Sequence, residues 1–461
     1  MMASIKRCSI FGRACNEFKD VAVIGGRASG TAAAIHLVEC LPAGSSVHVI
    51  DPRDVMYPSV FHDRNALLIA NTSHEANSLF PDLPDDFLSF LGVSERQGSI
   101  PRYVVGEYCH KRLAEAIGRA LRRGIRFSNL TDSVQSVRSY AEGYELTLAS
   151  GRTMYASDVV VAVGLGTAKP IDGLNTVPPY PSHNLRRFAK SKALVIGKGQ
   201  SGIEAALVLC AEGTEVTMCS RTGRFPAVRS RTPVAHFRFN SFAEVGSIDF
   251  RSYVDQDCRR RGYPPLSDLL APLEDPVSML RKEIKLAEED CCPWQDPIVS
   301  IIDAIIDTGA SVVDDREFLW RYVTAINLAT AQRLLDRIEH GSIVSTTLDA
   351  VDFGQFDLIV RATGFLRPNL YRRDRTLHFG GREVCVPDAG PVDVGRDLRL
   401  TLSDAHGPER IWAVGPASCV PFANFLHTAT RQAKNVAEQI ASPDKTRGVL
   451  LNRASIAGMP S

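Results

Sequence analysis

Short, continuous β-branched runs alternate along this chain with longer stretches whose apolar residues recur at helical spacing. The run VAVIGG at 21–26 has no polar position and reads as a parallel strand buried on both faces. It leads into SGTAAAIHLVEC at 29–40, a small-residue helix able to pack closely on a sheet. A second strand, SSVHVID at 45–51, ends in an acid. Strand, glycine turn, helix and strand make one βαβ unit. Residues 51–110 are irregular and rich in Pro, Asn and Asp, although DDFLSFL (85–91) and GEYCHKRLAEAIGRALRRG (106–124) predict helices. Between 125 and 163, IRFSNL, SVQSVRS, YELTLASGRTM and SDVVVAVG predict a small antiparallel meander that returns to the parallel sheet.

KALVIGKGQSGIEAALVLCAEGTEVTMCSR, at 192–221, repeats the order strand, glycine turn, helix, strand. Two such units imply two nucleotide-binding domains. Residues 265–340 are predominantly helical in pattern, through SDLLAPLEDPVSMLRKEIKLAEE, PIVSIIDAIIDTG and REFLWRYVTAINLATAQRLLDRIEH. Strands return in SIVSTTL, FDLIVRATG and RIWAVG, and a last helix covers about 423–441. The fold class is therefore α/β: two Rossmann-like domains with parallel sheets, a β-meander and a helical insertion.

Composition narrows this picture without redirecting it. A chain of 461 residues has room for two or three cores, and 44% hydrophobic with 23% charged residues is ordinary for a globular protein. A net charge of +1 gives no reason to expect a nucleic-acid partner. No apolar run approaches the roughly 18–20 residues that span a bilayer, so no membrane partner is expected. The first twenty residues carry four Lys/Arg together with Glu17 and Asp20 and lack an apolar core, so they read as a frayed tail and not as a secretion signal. Of eleven cysteines only Cys291 and Cys292 are neighbours, and no C-x-x-C occurs. That spacing argues against structural zinc and against a close redox pair; the thiols read as core residues of a reduced, cytoplasmic protein. No metal-ligand cluster is expected.

The chemistry lies in the two glycine turns. A dinucleotide turn uses its first glycine for the tight bend, its second for close approach of the diphosphate and its third for helix–strand packing. Gly197, Gly199 and Gly202 meet all three needs, with Gln200 and Ser201 between them. In the first turn Gly25, Gly26, Ser29 and Gly30 fit, but Arg27 stands where the middle glycine belongs. Asp51, followed by Pro52, lies ~20 residues past Gly30, where an acid bonds a ribose hydroxyl; the alternative is a plain turn residue. The second unit ends in Ser220 and Arg221 with no acid, and Arg224, Arg229 and Arg231 follow. Lack of an acid and presence of arginine favour the 2′-phosphate of NADPH over NADH; the alternative is a solvated basic loop.

On these residues the chain resembles the two-dinucleotide-binding flavoproteins, in which an FAD domain is interrupted by an inserted NAD(P) domain. DVVVAVG (158–164) and FDLIVRATG, ending at Gly164 and Gly364, resemble the crossings between the two domains. GQSG resembles the NADPH loop of flavin monooxygenases, especially the amine N-hydroxylating branch. FPDLPDDFLSFL, IPRYVVGEYCHKRL, SRTGRFP and IWAVGPASCVPFANFLHTATRQAKNVAEQI are similar to a bacterial family of single-component FAD/NAD(P)-binding proteins. The resemblance implies a flexible tail at 1–20, a first FAD part at 21–185, an NADPH domain at 186–350 with its helical insertion at about 265–340, an FAD return at 351–445 and a C-terminal tail at 446–461. It implies FAD and NADPH as cofactors and adds Arg102 and Gly415 to the cofactor-binding residues. For Arg102 the alternatives are a helix cap or an ion pair. Arg27 either swings outward, pairs with the phosphates, or weakens FAD by bulk; the retained FAD site is preferred.

What the resemblance implies for catalysis is hydride transfer between nicotinamide and flavin, with the protein supplying orientation. Three activities share the motifs: a single-component monooxygenase acting with molecular oxygen on a small polar amine or amino-acid-like metabolite, which is favoured; a flavin dehydrogenase, reductase or oxidase without oxygen insertion; and a non-catalytic nucleotide-binding protein, motivated by Arg27. Three side chains are catalytic candidates. Asn71, in ALLIANTS (66–73), offers a carboxamide to flavin or nicotinamide, against the reading of an ordinary loop Asn. His183 sits in the linker before the second turn, as a control of domain closure or as an exposed linker residue. His427 opens the last helix, near the site or simply in the core. A homo-oligomeric state is left open.

Overall fold

The computed structural model describes residues 18–53, 63–93, 99–141, 143–166, 168–230, 247–260, 262, 265, 275–295, 298, 311–312, 316–366, 369–380, 390–403, 408–420 and 425–442. The expected tails, except for residues 18–20, all of SDLLAPLE, most of PIVSIIDAIIDTG, and Arg231 lie outside the described residues.

The apolar run at 21–24 becomes the strand Asp20–Ile24, whose Val21, Ala22 and Val23 are fully buried. It lies at the centre of a five-stranded parallel sheet. Asp158–Val161 and then Ile411–Ala413 flank it on one side; Ser46–Asp51 and then Arg126–Thr131 flank it on the other. Arg126–Thr131 is the IRFSNL run, so this segment extends the parallel sheet and does not begin the meander. Its register, Ser46 opposite Arg126 through Asp51 opposite Thr131, follows from the preceding helix Arg102–Arg122, a crossover that returns the chain in the parallel sense. The first helix, Ala28–Cys40, lies on one face of this sheet between Arg102–Arg122 and Leu426–Ala441. Ala32, Ala33 and Ala34 give it the small surface that this close packing requires.

Val159 and Val161 point to the other face and join Val137, Leu146 and Leu377 in a second apolar cluster. That face is covered by a six-stranded antiparallel sheet. The expected meander supplies Val134–Tyr140, Gly143–Leu148 and Thr153–Ala156, while Asn369–Arg373, Thr376–Gly380 and Gly390–Pro391 come from the far end of the chain.

The second parallel sheet runs Ile343–Thr347, Glu215–Ser220, Lys192–Ile196, Leu358–Arg361. Leu358–Arg361 pairs within this sheet, and its Leu358 and Val360 pack into the same core beside Ala193 and Val195. The insertion is helical but interrupted. Pro276–Glu288 starts on Asp275, whose carboxylate accepts the Val277 and Ser278 N–H groups. The long pattern at 316–340 breaks at 324–327, where Ile326–Asn327 pairs with Val228–Arg229 and the Asn327 side chain caps the helix Leu328–Glu339. Among the described residues no helix is long and apolar enough to cross a membrane, and no group of His, Cys, Asp and Glu is placed to hold a metal.

Candidate functional site

The two glycine turns are built to one plan. Gly25 has φ +98° and Gly197 φ +115°, left-handed conformations that favour glycine. A Cβ on Gly25 would stand 2.4 Å from the Ala162 carbonyl oxygen, and one on Gly197 would stand 2.3 Å from that of Ala362. Each turn is thus pressed against the crossing strand that ends in A-V-G or A-T-G. Cβ atoms on Gly30 and Gly202 would collide with the carbonyls of Gly25 and Gly197 at 1.8 and 1.9 Å, which is what close packing of helix on strand demands. A Cβ on Gly199 would meet nothing within 4 Å. Open space at the mouth of a helix N-terminus, faced by backbone N–H groups, is the form a diphosphate needs. The residues of the second turn therefore fit a dinucleotide.

Arg27 occupies the equivalent place in the first turn. Its φ −81°, ψ −166° match the −75°, −179° of Gly199, so its Cβ enters the space that Gly199 leaves open. Burial draws its guanidinium below the usual value, and nearby Asp51 partly restores it. Asp51 is buried, at the end of its strand; one carboxylate oxygen accepts the Gly26 N–H at 2.8 Å and the other the Arg53 N–H at 3.0 Å. Each oxygen keeps a lone pair for a ribose hydroxyl. The cradle of the first turn fits FAD in its tight bend, its acid and its helix packing, and departs from the pattern at Arg27. Ser29 is buried at the helix start, and Pro52 is exposed beyond Asp51. Gly164 has φ +76° beside this turn. Gly415, φ +67°, follows the neighbouring strand and donates its N–H to Gln432 at 2.8 Å.

Between the two turns lies a buried polar junction. Arg102, which opens its helix, donates to Glu204 of the second unit's helix and to the Tyr180 hydroxyl at 3.3 Å. Tyr180 also donates to Glu204, and Gln200 donates to Glu204 at 3.0 Å. Arg102 is thus engaged in an ion pair, one of the alternatives its sequence context offered. Its reach is taken by a carboxylate that would otherwise be buried alone, a costly state. Burial pushes the Glu204 carboxyl up, while Arg102, Tyr180 and Gln200 pull it back. Glu204 and Tyr180 were not read from the sequence. The signal for Glu204 was there: a carboxylate inside the apolar run GIEAALVL needs a buried partner.

The same junction holds the segment at 66–73. The Ile69 carbonyl accepts from Gln200 at 3.3 Å and from Arg102 at 3.4 Å. Asn71 donates its amide to the Ala325 carbonyl, which also accepts from Arg229 at 3.2 Å. The Asn71 Oδ1 is buried with no hydrogen-bond partner. The Arg229 guanidinium has no carboxylate partner among the described residues, and burial draws it down to about 10. His183 lies exposed on the short helix Ser182–Phe188 of the linker. His427 is half-buried in the first turn of Leu426–Ala441, beside Thr428, whose hydroxyl is buried without a partner.

In the second unit Ser220 ends its strand with a buried, unpartnered hydroxyl, and Arg221 is exposed next to it. Gly364, φ +95°, accepts the Lys169 N–H at 3.0 Å, and Ala168 bridges Phe365, so the two crossings run side by side.

Comparison with known proteins agrees with this plan. Residues 22–166 match the family model described as FAD-NAD(P)-binding, and residues 122–253 match that described as pyridine nucleotide-disulphide oxidoreductase. No curated protein matches the chain. Among solved structures, cyclohexanone monooxygenase in an open form is similar at 16% identity and TM-score 0.52, over 92% of this chain and 87% of that one. A cyclohexanone monooxygenase mutant from Rhodococcus sp. Phi1, bound to NADP+, is similar at 18% identity and TM-score 0.51, over 93% and 86%. Bacillithiol disulfide reductase from Bacillus cereus is similar at 14% identity and TM-score 0.47, over 92% and 99%. The two monooxygenase structures show the shared fold. The family matches make this chain an FAD- and NAD(P)-binding oxidoreductase, and the two cradles agree with that.

Proposed function

For a flavin-dependent, NAD(P)-binding oxidoreductase of this plan, we propose an NADPH-dependent monooxygenase that uses molecular oxygen to N-hydroxylate a small polar amine or amino-acid-like metabolite. The observation that carries the reading is the segment at 66–73, held between the two units by Gln200, Arg102 and Ala325. It offers a buried acceptor, the Asn71 Oδ1, beside a guanidinium, Arg229, that has no carboxylate among the described residues. An unpaired carboxamide oxygen suits an amine N–H, and an uncompensated guanidinium suits a carboxylate. Together they match the two ends of an amino acid.

When bound, the cofactors supply hydride transfer from nicotinamide to flavin and the reaction of reduced flavin with oxygen. The chain's own contribution is binding, orientation and exclusion of water. Gly26 and Asp51 hold the FAD ribose end, and the Gly197–Gly202 turn holds the NADPH diphosphate. The Arg102–Glu204 pair and Tyr180 close the floor of the junction to solvent, which favours oxygen transfer over leakage. Asn71 orients the substrate nitrogen, and Arg229 anchors its carboxylate. The Ser220 hydroxyl and Arg221 favour the 2′-phosphate over a bare ribose.

A second reading, a flavin dehydrogenase or reductase that inserts no oxygen, is favoured by the match at 122–253 to the disulphide oxidoreductase model. Turnover of amino acids and small amines under ¹⁸O₂ with NADPH separates the two. The monooxygenase gives a product 2 mass units heavier than in ¹⁶O₂, by the mass difference of one oxygen atom, and unlabelled product rejects it.

A further inference from the structure

The two glycine turns correspond residue for residue, and the correspondence isolates one reversal of charge. The Gly25 N–H donates to the Ile50 carbonyl and the Gly197 N–H to the Cys219 carbonyl, both at 2.8 Å. Gly26 therefore corresponds to Lys198, and Asp51 to Ser220. In the first unit an acid rests on a glycine amide. In the second the acid has become a serine and the glycine a lysine.

Lys198 is 3% exposed. Its ammonium donates to the Gly223 carbonyl at 2.8 Å, the Ser345 hydroxyl at 2.7 Å and the Thr346 carbonyl at 2.8 Å, and lies 5.0 Å from the centre of the Phe225 ring. Every one of these partners is neutral, and no carboxylate pairs with it among the described residues. A buried cation without a counter-ion is costly unless an anion arrives from outside. Two further observations point to where that anion sits. The Gly223 carbonyl belongs to the loop Ser220–Gly223, which follows the strand end where a ribose 2′ position is read. The Ser220 hydroxyl, on the same loop, is buried with no partner.

We infer that Lys198 is the specificity-determining positive charge of this turn, selecting dinucleotides with a phosphate on the adenosine 2′ oxygen. The inference rests on the NADPH reading given under Proposed function. Because all three of its N–H groups are bonded to protein, Lys198 acts as a positioning residue. It pins the loop that presents Ser220 and Arg221, and adds its field to theirs.

The groups facing it are few. The Cys219 thiol comes from the adjacent strand and is pushed up to about 11 by burial, so it carries no charge near neutrality. Ser345 faces it from Ile343–Thr347, and Arg221 and Arg224 are exposed on the loop itself. Burial draws the Lys198 ammonium down to about 8. In the dinucleotide-free protein it is therefore partly deprotonated at pH ~8.5, and an arriving phosphate dianion recharges it. Binding of a 2′-phosphorylated nucleotide then takes up a proton, and binding of NAD+ does not.

Calorimetric titration of the FAD-loaded protein at pH ~8.5, in two buffers of different ionisation enthalpy, tests this with NADP+, NAD+ and adenosine 2′,5′-bisphosphate. The wild type takes up a fraction of a proton with NADP+ and the bisphosphate and none with NAD+. Lys198→Gln raises the NADP+ Kd about tenfold, ~1.4 kcal/mol, keeps NAD+ within about twofold, and abolishes the uptake. Unchanged FAD content, read from flavin absorbance, reports that the variant is folded. Lys198→Arg restores the preference for NADP+ without proton uptake. Equal weakening of NADP+ and NAD+ in Lys198→Gln, or uptake that persists in it, overturns the inference while the NADPH reading stands. A wild type that binds NAD+ and refuses NADP+ overturns both.

Discussion

Arg102 and Glu204 meet as a buried ion pair across the two nucleotide-binding units, one from the helix that follows the segment at 66–73 and the other from the helix of the second glycine turn. Each is left with a bare buried charge if the other is removed. Glu204→Ala is expected to lower stability by about 3 kcal/mol, seen as a lower midpoint in urea unfolding. Glu204→Gln keeps an acceptor for Tyr180 and Arg102 and loses less. Equal midpoints for both variants and the wild type would show that the pair does not join the units.

Gly197→Ala separates the two cofactor sites. The new Cβ would stand 2.3 Å from the Ala362 carbonyl oxygen on a backbone at φ +115°. Nucleotide binding is expected to weaken by on the order of a hundredfold, equivalent to about 2.7 kcal/mol. FAD content, read from the absorbance of the purified protein, stays unchanged because the first sheet is untouched.

Arg27→Gly is expected to tighten FAD several-fold. The substitution clears the space that is already open at Gly199 and frees Asp51 from a neighbouring guanidinium. The measurement is fluorescence titration of the deflavinated protein. A looser complex would instead assign the guanidinium to the diphosphate.

Asn71→Leu removes the buried acceptor while keeping the volume close. The share of consumed NADPH that appears as oxygenated product is expected to fall about tenfold, the size of one buried hydrogen bond, with peroxide rising to match. Coupling that stays at the wild-type level would take Asn71 out of the substrate site.

His36 gives the protein an acid limit. It is buried on the first helix with Nε2 on the Leu79 carbonyl, and burial depresses its basicity. Below the unfolded histidine value of about 6.5 the unfolded chain binds more protons than the folded one, so stability falls as pH drops through that region. His36→Gln keeps a donor to Leu79 and should flatten the loss between pH 7 and 5 in denaturant titrations.

Much of the plan was legible because it rests on local rules. VAVIGG and KALVIG are unbroken apolar strands, and each is followed by glycines whose positive φ and close contacts leave little other choice. Asp51 was legible for the same reason, as a single acid at a fixed distance. The partners of Arg102 were hidden because Glu204 is 102 residues away and only the packing of the two units unites them. The strands Asn369–Arg373 and Thr376–Gly380 were missed because NLYRR and TLHFG alternate too weakly to declare a buried face; Thr376–Gly380 gains one by pairing with Val134–Tyr140, and Asn369–Arg373 joins through Thr376–Gly380. Lys198 was passed over as the variable letter of a glycine motif, since nothing local says that its side chain turns inward.

The adjacent crossings have a mechanical outcome. A lone tether would let one lobe swivel freely about its long axis. Here two tethers are stitched to each other at Ala168–Phe365 and at Lys169–Gly364, and a ribbon of two strands bends across its flat side far more readily than it twists. Any relative movement of the two units is therefore expected to bend across this ribbon and not to twist about it.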